Sequence, residues 1–430
     1  VTALYTDLYE LRMAESYLKR GMTADATFSL YIRPTRDRPW WVALGVERVL
    51  DFIQSYSFEQ RDLEYLSKIG FADETLDAFA NLRPSGQLVA VPDGTVVLAD
   101  EPIVEITAPL PIAQLWETAV INLVQYPTLV ATKAARVAFA AEGRPVVDFG
   151  FRRAHGLATG VEAAYAAYVG GGMLTSNVEA GRRYGIGVLG TMAHAFVQTQ
   201  ATQLDAFRAW MTDHPDNVTL LVDTYDTLGG VADAIVAADE GRPLGAVRLD
   251  SGDLLELSRA ARRLLDDAGH RDVRIVASGG LDEHAIGRLV ASGAPIDAFG
   301  VGTDLVVSAD RPAAEIAYKL VRYDGRDVIK ASTGKESLAG PKQIFRRDDP
   351  TDDVLALRGE TFDGRELLQP VWRDGKRLCS FEMQDAREHA ATELESLPAS
   401  WRRPDFDGPL PRPRVSDELR ELTEKLRQAG

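Results

Sequence analysis

Cysteine is almost missing: the 430-residue chain has one, Cys379. That excludes an internal disulfide and any cysteine-built zinc site, and it suits a reducing cytosol, so a cytoplasmic location is expected. Histidine is scarce too, with six residues, so one in an unusual setting carries information. Positive charge is in deficit, with 48 Lys and Arg against 64 Asp and Glu and a net charge of −16. General nucleic-acid or anionic-membrane binding needs a basic surface, so neither is expected. A local pocket of arginines for an anionic substrate remains compatible with that balance. No apolar run approaches the roughly 20 residues of a membrane span. The opening stretch VTALYTDLYE has neither a charged n-region nor an apolar h-region, so no signal peptide is expected.

The rest is ordinary globular composition, 45% apolar and 26% charged, in a chain long enough for one large domain with appendages. TDLYELRMAESYLKRG predicts a helix, with Leu8, Leu11, Ala14, Tyr17 and Leu18 on one face and Gly21 as its stop. ATFSLYIRP predicts a strand ended by Pro34, and GQLVAVPDGTVVLADEPIVEIT predicts short strands joined by Pro and Gly turns. One long apolar helix is expected from about Pro111 through Val137.

From about Val146 short apolar runs recur, each ending in polar or Gly residues: RPVVDFGFRR, GMLTSN, GVLGTMAH, TLLVDTYD, AVRLDSGD, RIVASGG and DAFGVGTD. Helical stretches separate several of them, most clearly Leu254–Leu265, closed by Gly269. Strand, polar end and helix in repetition describe parallel βα units. A (β/α) barrel-like α/β fold is favoured over a doubly wound sheet, because chemistry-capable residues end nearly every strand. After about Gly340 the rhythm stops. KQIFRR, DVLALRG and ELLQPVW read as antiparallel strands, and SDELRELTEKLRQAG as an amphipathic helix capped by Ser416. The expected division is 1–140 as an α+β domain, 141–340 as the barrel-like domain, and 341–430 as a β-rich segment and helix packing on the N-terminal part.

Two late strand ends, ASGG and GVGT, bring Ser278, Gly279, Gly280, Gly300, Gly302 and Thr303. Glycines let backbone N–H groups approach an anion, and late barrel strands form the usual phosphate site; the plain alternative is two tight turns. Asp223 and Asp250 each follow a buried apolar run, so each must be paired, hydrogen-bonded or metal-bound. Carboxylates at adjacent strand ends can hold sugar hydroxyls and one Mg²⁺. Asp226 and Asp253 read instead as helix N-caps. Arg152 and Arg153 offer forks for a carboxylate or phosphate. Arg248 shares a strand face with Asp250 and could pair with it. Lys330 and Lys335 in IKASTGKES could meet a pyrophosphate or be plain surface lysines. His194, in GTMAHAF among small residues, is placed for base or nucleophile chemistry toward phosphorus, with Asp223 a candidate to orient its ring. His155, His214, His270 and His284 read as surface or loop residues.

These residues, in this order, resemble nicotinate phosphoribosyltransferase. The likeness runs from TDLYELRMA through DFGFRRAHG, TSN, GTMAHAF, LLVDTYDTL, VRLDSGDL, ASGGLDE and FGVGTDLV to KASTGKES and PKQIFR. It implies the type II phosphoribosyltransferase fold and synthesis of nicotinate mononucleotide from nicotinate and phosphoribosyl pyrophosphate in NAD salvage, coupled to ATP hydrolysis. It implies that ATP transiently phosphorylates His194, with Asp223 orienting it. The donor's 5′-phosphate would lie on the two glycine turns, with Lys330 and Lys335 as further phosphate ligands. Asp250 and Arg248 would face the ribose. Arg152 would meet the nicotinate carboxylate and Phe149 its ring. Ser176 and Asn177 of TSN, with Gly190 and Thr191, complete the expected substrate contacts. Mg²⁺ would be held mainly through the substrate pyrophosphate. Tyr9 and Arg33 would reach the site from a second subunit, making a homodimer. RPTRDRPWW departs from the family's usual form after Arg33, and the zinc-binding tail of some members is excluded. The rivals are a nicotinamide or quinolinate transferase and, from another class, a non-catalytic phosphometabolite-binding barrel.

Overall fold

The computed structural model describes residues 2–216, 218–332 and 336–429. Lys335 lies outside them. The chain divides into two compact units, one of residues 1–132, 313–401 and 406–430, the other of residues 133–312 and 402–405.

The first unit is built on a seven-stranded sheet, ordered 326–327, 316–323, 25–32, 102–109, 87–90, 369–373, 376–377. Asp25–Ile32 is central and pairs antiparallel on both sides. Seven of its eight residues are buried, which explains why ATFSLYI is an almost unbroken apolar run. Leu8–Lys19 is the expected first helix, and Gly21 after it takes φ +67°. The expected single helix from Pro111 is two, Leu110–Leu115 and Glu117–Ala140, interrupted at Trp116. Aromatic rings fill the core. Phe28 stacks on Tyr318 at 4.7 Å, and Trp116 meets Trp372 edge-on at 6.4 Å. A four-stranded sheet, ordered 365–366, 342–346, 354–357, 414–415, completes the unit. It takes in KQIFRR and DVLALRG as an antiparallel pair. Asp417–Ala429 is the terminal helix, and Ser416 Oγ accepts from Leu419 N at 3.2 Å as its cap.

This unit also buries charge. Arg346, 1% exposed, forks onto Asp353 at 2.8 Å from Nε and bonds Glu393 from Nη1. Glu101 lies 4.0 Å away. Burial first, then Asp353, drives the Glu101 carboxyl well above its ordinary value. Asp93 serves another helix: its Oδ1 accepts from the N–H groups of Gly45 and Val46, both at 2.9 Å, where helix Val46–Gln54 begins.

The second unit holds a six-stranded parallel sheet, ordered 174–175, 146–148, 298–301, 274–277, 246–249, 219–221. Its two edge strands do not pair with each other, so the barrel-like sheet is a half barrel. GVLGTMAH, expected as a strand, is irregular chain touching the sheet only at a Thr175–Val188 bridge; Gly187 and Gly190 flank its two apolar residues. Helix Leu254–Asp267 lies where the apolar spacing puts it, and Asp253 caps it, accepting from the N–H groups of Leu255 and Glu256. Asp226 likewise caps Thr227–Asp239. The βα rhythm ends at residue 312, earlier than the expected 340, because Ile316–Tyr323 pairs with Asp25–Ile32 in the first unit's sheet.

Lys133 and Arg136 meet Glu283 at 2.5 and 2.9 Å, all three buried. Burial alone would raise the Glu283 carboxyl, but the two cations hold it below its ordinary value. This ties helix Glu283–Ala291, which follows the ASGG turn, to the helix carrying Lys133.

Candidate active site

A cavity of about 480 Å³ opens at the C-terminal strand ends of the second unit. Its wall is assembled from segments far apart in sequence: 149 and 151–153, Ser176, 190–193, Arg248 with Asp250, 278–281, 300 and 302–304.

The two glycine turns lie at the ends of adjacent parallel strands and both line the cavity. Gly279 has φ +91° and Gly280 φ +61°, a left-handed backbone that glycine adopts at little cost. A Cβ on Gly279 would lie 1.9 Å from the Asp250 carbonyl oxygen. A Cβ on Gly300 would strike the Phe149 ring at 2.4 Å. Both positions therefore require glycine for space. Thr303 begins the short helix after the second turn. Asp148 fixes the Phe149 segment, accepting from Gly150 N and Thr175 Oγ1, both at 2.8 Å. Burial raises the Asp148 carboxyl.

Charge lines the wall. Arg152, Arg153 and Arg248 supply three cations; Asp250 and Asp304 supply two acids. Arg248 does not pair directly with Asp250. Its Nη1 donates to Thr191 Oγ1 at 2.7 Å and its Nη2 to the Met192 carbonyl at 3.4 Å. Its Nε has no partner among the described residues, and its carbon lies 5.9 Å from the Phe149 ring centre. Burial lowers the Arg248 pKa, with Asp250 and Asp223 opposing. Asp250 accepts from Ser278 Oγ, so the acidic strand end and the first glycine turn are joined.

Asp223 differs from expectation. It makes no hydrogen bond to His194; its Oδ2 accepts from Asp250 N at 3.1 Å and Ser251 Oγ at 2.6 Å. It props the Asp250 turn instead. The ring partner of His194 is Thr224, with Nδ1 3.1 Å from Oγ1. His194 is half-buried, beginning the helix His194–Gln198 beside Ala193 on the cavity wall. Nε2 has no partner among the described residues.

Other expected residues fall elsewhere. Asn177 is fully buried and committed to structure: Oδ1 caps Val178–Tyr184 through Ala180 N, and Nδ2 donates to the Gly160 carbonyl at 3.0 Å. Tyr9, 49% exposed, and Arg33 belong to the first unit. Burial raises the Tyr9 phenol, helped by Glu117 and Glu10. Lys330 also belongs there, exposed, with its N–H bonded to Ser337 Oγ. Four residues went unassigned by sequence reasoning: Phe151, Met192, Leu281 and Asp304. Asp304 was legible as the acid directly after Thr303 in GVGTD. Burial raises its carboxyl and Lys133 opposes.

A half barrel whose strand ends combine two glycine turns, arginines and acids has the type II phosphoribosyltransferase fold. Residues 4–125 match the nicotinate phosphoribosyltransferase (NAPRTase) N-terminal domain, and residues 130–310 the quinolinate phosphoribosyl transferase C-terminal domain. Over 442 residues the chain is 43% identical to nicotinate phosphoribosyltransferase pncB2 of Mycobacterium tuberculosis (strain CDC 1551 / Oshkosh), covering 100% of this chain and 95% of that one. It is 42% identical over 385 residues to the nicotinate phosphoribosyltransferase of Bacillus subtilis (strain 168), covering 85% and 78%. The fold matches human nicotinic acid phosphoribosyltransferase at a TM-score of 0.83, with 24% identity over 98% of this chain and 99% of that one. The chain belongs to the nicotinate phosphoribosyltransferase family.

Proposed function

We infer that this chain forms nicotinate mononucleotide and pyrophosphate from nicotinate and phosphoribosyl pyrophosphate, a step of NAD salvage. One observation carries the reading: in a member of this family, a single cavity joins both glycine turns to Arg152, Arg248 and Asp250.

The C1–O bond to pyrophosphate breaks, the leaving group keeps the electron pair, and the pyridine nitrogen of nicotinate bonds to C1. Positive charge builds on the ribosyl centre, so positioning and charge stabilisation are the main catalytic demands. Backbone N–H groups of Gly279, Gly280 and Gly302, with Ser278 and Thr303, hold the 5′-phosphate, and Gly300, without a side chain, leaves it room. Asp250 faces the ribose, kept in place by Asp223 and Ser278. Arg152 pairs with the nicotinate carboxylate while Phe149 covers its ring; Ser176 and Gly190 line the same wall. Thr191 anchors Arg248 toward the substrate.

Among the described residues no group of three or more His, Cys, Asp or Glu could hold a metal ion. Mg²⁺ would be carried mainly by the substrate's own oxygens, and Asp250 and Asp304 are the carboxylates on the cavity wall that could meet it. Bound there, Mg²⁺ would neutralise the departing pyrophosphate. His194 is the phosphoryl acceptor from ATP: Thr224 holds Nδ1, so Nε2 forms the N–P bond as the bridging P–O bond breaks and ADP leaves. A phosphorylated His194 adds negative charge and acceptor oxygens beside the cavity. Tyr9 completes the site from a second subunit, and the exposure of Tyr5, Leu8 and Tyr9, at 63%, 54% and 49%, suits a homodimer contact. Arg33 reaches phosphate from the same neighbour.

The test is a substrate panel. Nicotinate with phosphoribosyl pyrophosphate, Mg²⁺ and ATP should give nicotinate mononucleotide; nicotinamide and quinolinate should not replace it. Omitting ATP should slow the reaction, and radiolabelled ATP should leave acid-labile phosphate on wild type but not on His194→Ala. Donor binding without any product would favour the non-catalytic reading.

A further inference from the structure

The first unit contains a second cavity, of about 270 Å³. That is room for about nine water-sized volumes. It lies between the strand Asp25–Ile32 and the C-terminal segments, with Tyr31 on one side and Val415 and Arg427 on the other.

Two features make it more than a crevice. Tyr31 is 5% exposed, and among the described residues its Oη completes no hydrogen bond of good geometry, the Arg33 guanidinium approaching it only loosely. A buried hydroxyl left in that state costs about 1–3 kcal/mol, so a partner entering the cavity would be rewarded. Lys342, 2% exposed, spends its ammonium on the Gly340 carbonyl at 2.7 Å and Glu105 at 3.3 Å. An ammonium has three donors, of which Gly340 and Glu105 take two among the described residues.

Charge and shape narrow the occupant. Arg412 pairs with Asp100, and Arg427 with Glu336 at 2.8 Å. On the cavity's own lining, Lys342, Arg412 and Arg427 are three cations against the two carboxylates Asp100 and Glu336. Arg33, on the same strand face as Tyr31, adds positive potential at the phenol. Leu338, Leu355 and Val415 supply apolar wall.

We propose that this cavity binds a small carboxylate with a compact apolar body, its anionic end between the Tyr31 hydroxyl and the Lys342 ammonium. The site is independent of the catalytic reading. It is tested by calorimetric titration of Arg152→Ala protein with benzoate, that substitution suppressing capture of the probe at the proposed nicotinate position. One saturable site is expected, with neutral benzamide binding far more weakly. Adding Tyr31→Phe, which removes only the hydroxyl, should weaken benzoate by about three- to tenfold, one hydrogen bond's worth. Adding Val415→Phe should narrow the cavity and abolish the heat, at an unchanged unfolding midpoint. An absence of saturable binding at millimolar benzoate overturns the proposal. So does equal affinity for benzamide, or benzoate affinity unaffected by Tyr31→Phe in protein that unfolds at the wild-type midpoint.

Discussion

Two arginines, one from each unit, show two different uses of charge. Arg346 in the first is almost wholly buried, forked onto Asp353 and bonded to Glu393. Arg248 in the second is half-buried, held by one hydroxyl and one carbonyl, with Nε unpartnered and no direct carboxylate bond among the described residues. The first arrangement is electrostatically closed and serves the fold. The second is unfinished, and a substrate phosphate or hydroxyl would finish it. Incomplete pairing at strand ends, rather than charge alone, separates machinery from scaffold.

The sharpest way to break that contrast is to truncate both arginines. Arg346→Ala leaves Asp353 and Glu393 buried without their cation, and should cost about 3–5 kcal/mol of stability by denaturant titration, the usual cost of breaking a buried pair. The remaining folded protein should keep its turnover. Arg248→Ala should do the reverse, lowering kcat/KM by about 10²–10³, the scale for one preorganised stabilising donor, with little change in unfolding midpoint. If Arg248→Ala unfolds the protein and Arg346→Ala does not, the contrast fails.

Gly300→Ala comes next. Its methyl would meet the Phe149 ring at 2.4 Å, so the ring must shift; an overpacking cost of about 1–3 kcal/mol is expected. Most of it should appear as a raised KM for the phosphoribosyl donor and nicotinate in steady-state kinetics.

Asp93 gives a smaller, pH-dependent effect. Burial pushes its carboxyl from an ordinary 3.8 up to about 6, with three backbone N–H groups opposing. The folded chain therefore holds this proton more tightly than the unfolded chain does. Between those two values the stability contribution should fall as pH rises. Asp93→Asn should flatten that part of the stability–pH curve while leaving the pH profile of kcat unmoved. Thr224→Val should matter least: it removes the partner of His194 Nδ1 and should reduce ATP stimulation by about three- to tenfold, one hydrogen bond's worth, without touching stability.

The legible parts of the sequence were those governed by local rules. Leu254–Asp267 announced itself through apolar spacing, Asp253 and Gly269. The strand-end residues Arg152, Asp250 and the glycine turns were legible because an acid, a cation or paired glycines directly after an apolar run seldom serve packing alone. What escaped depended on distant partners. The end of the second unit at residue 312 follows from Ile316–Tyr323 pairing with a strand nearly 300 residues earlier. GVLGTMAH looked like a strand because apolar residues precede its polar end, but nothing local indicated how little sheet edge it would find. Asp223 and Thr224 are adjacent, and only side-chain direction decides which reaches His194. Asn177 was legible as a motif residue, yet its burial beneath the wall was not.

The near-contact between Gly279 and the Asp250 carbonyl has one more consequence. The two loops meet backbone to backbone there and are joined besides by Ser278 Oγ donating to Asp250, so neither can drift without carrying the other. If the donor's phosphate and sugar rest on these two loops as proposed, the pair forms a single gauge whose spacing is set before any substrate arrives. Such a gauge tolerates changes around its rim far better than any added atom at its hinge, and a donor with a longer or shorter span between phosphate and sugar would find no compliance there.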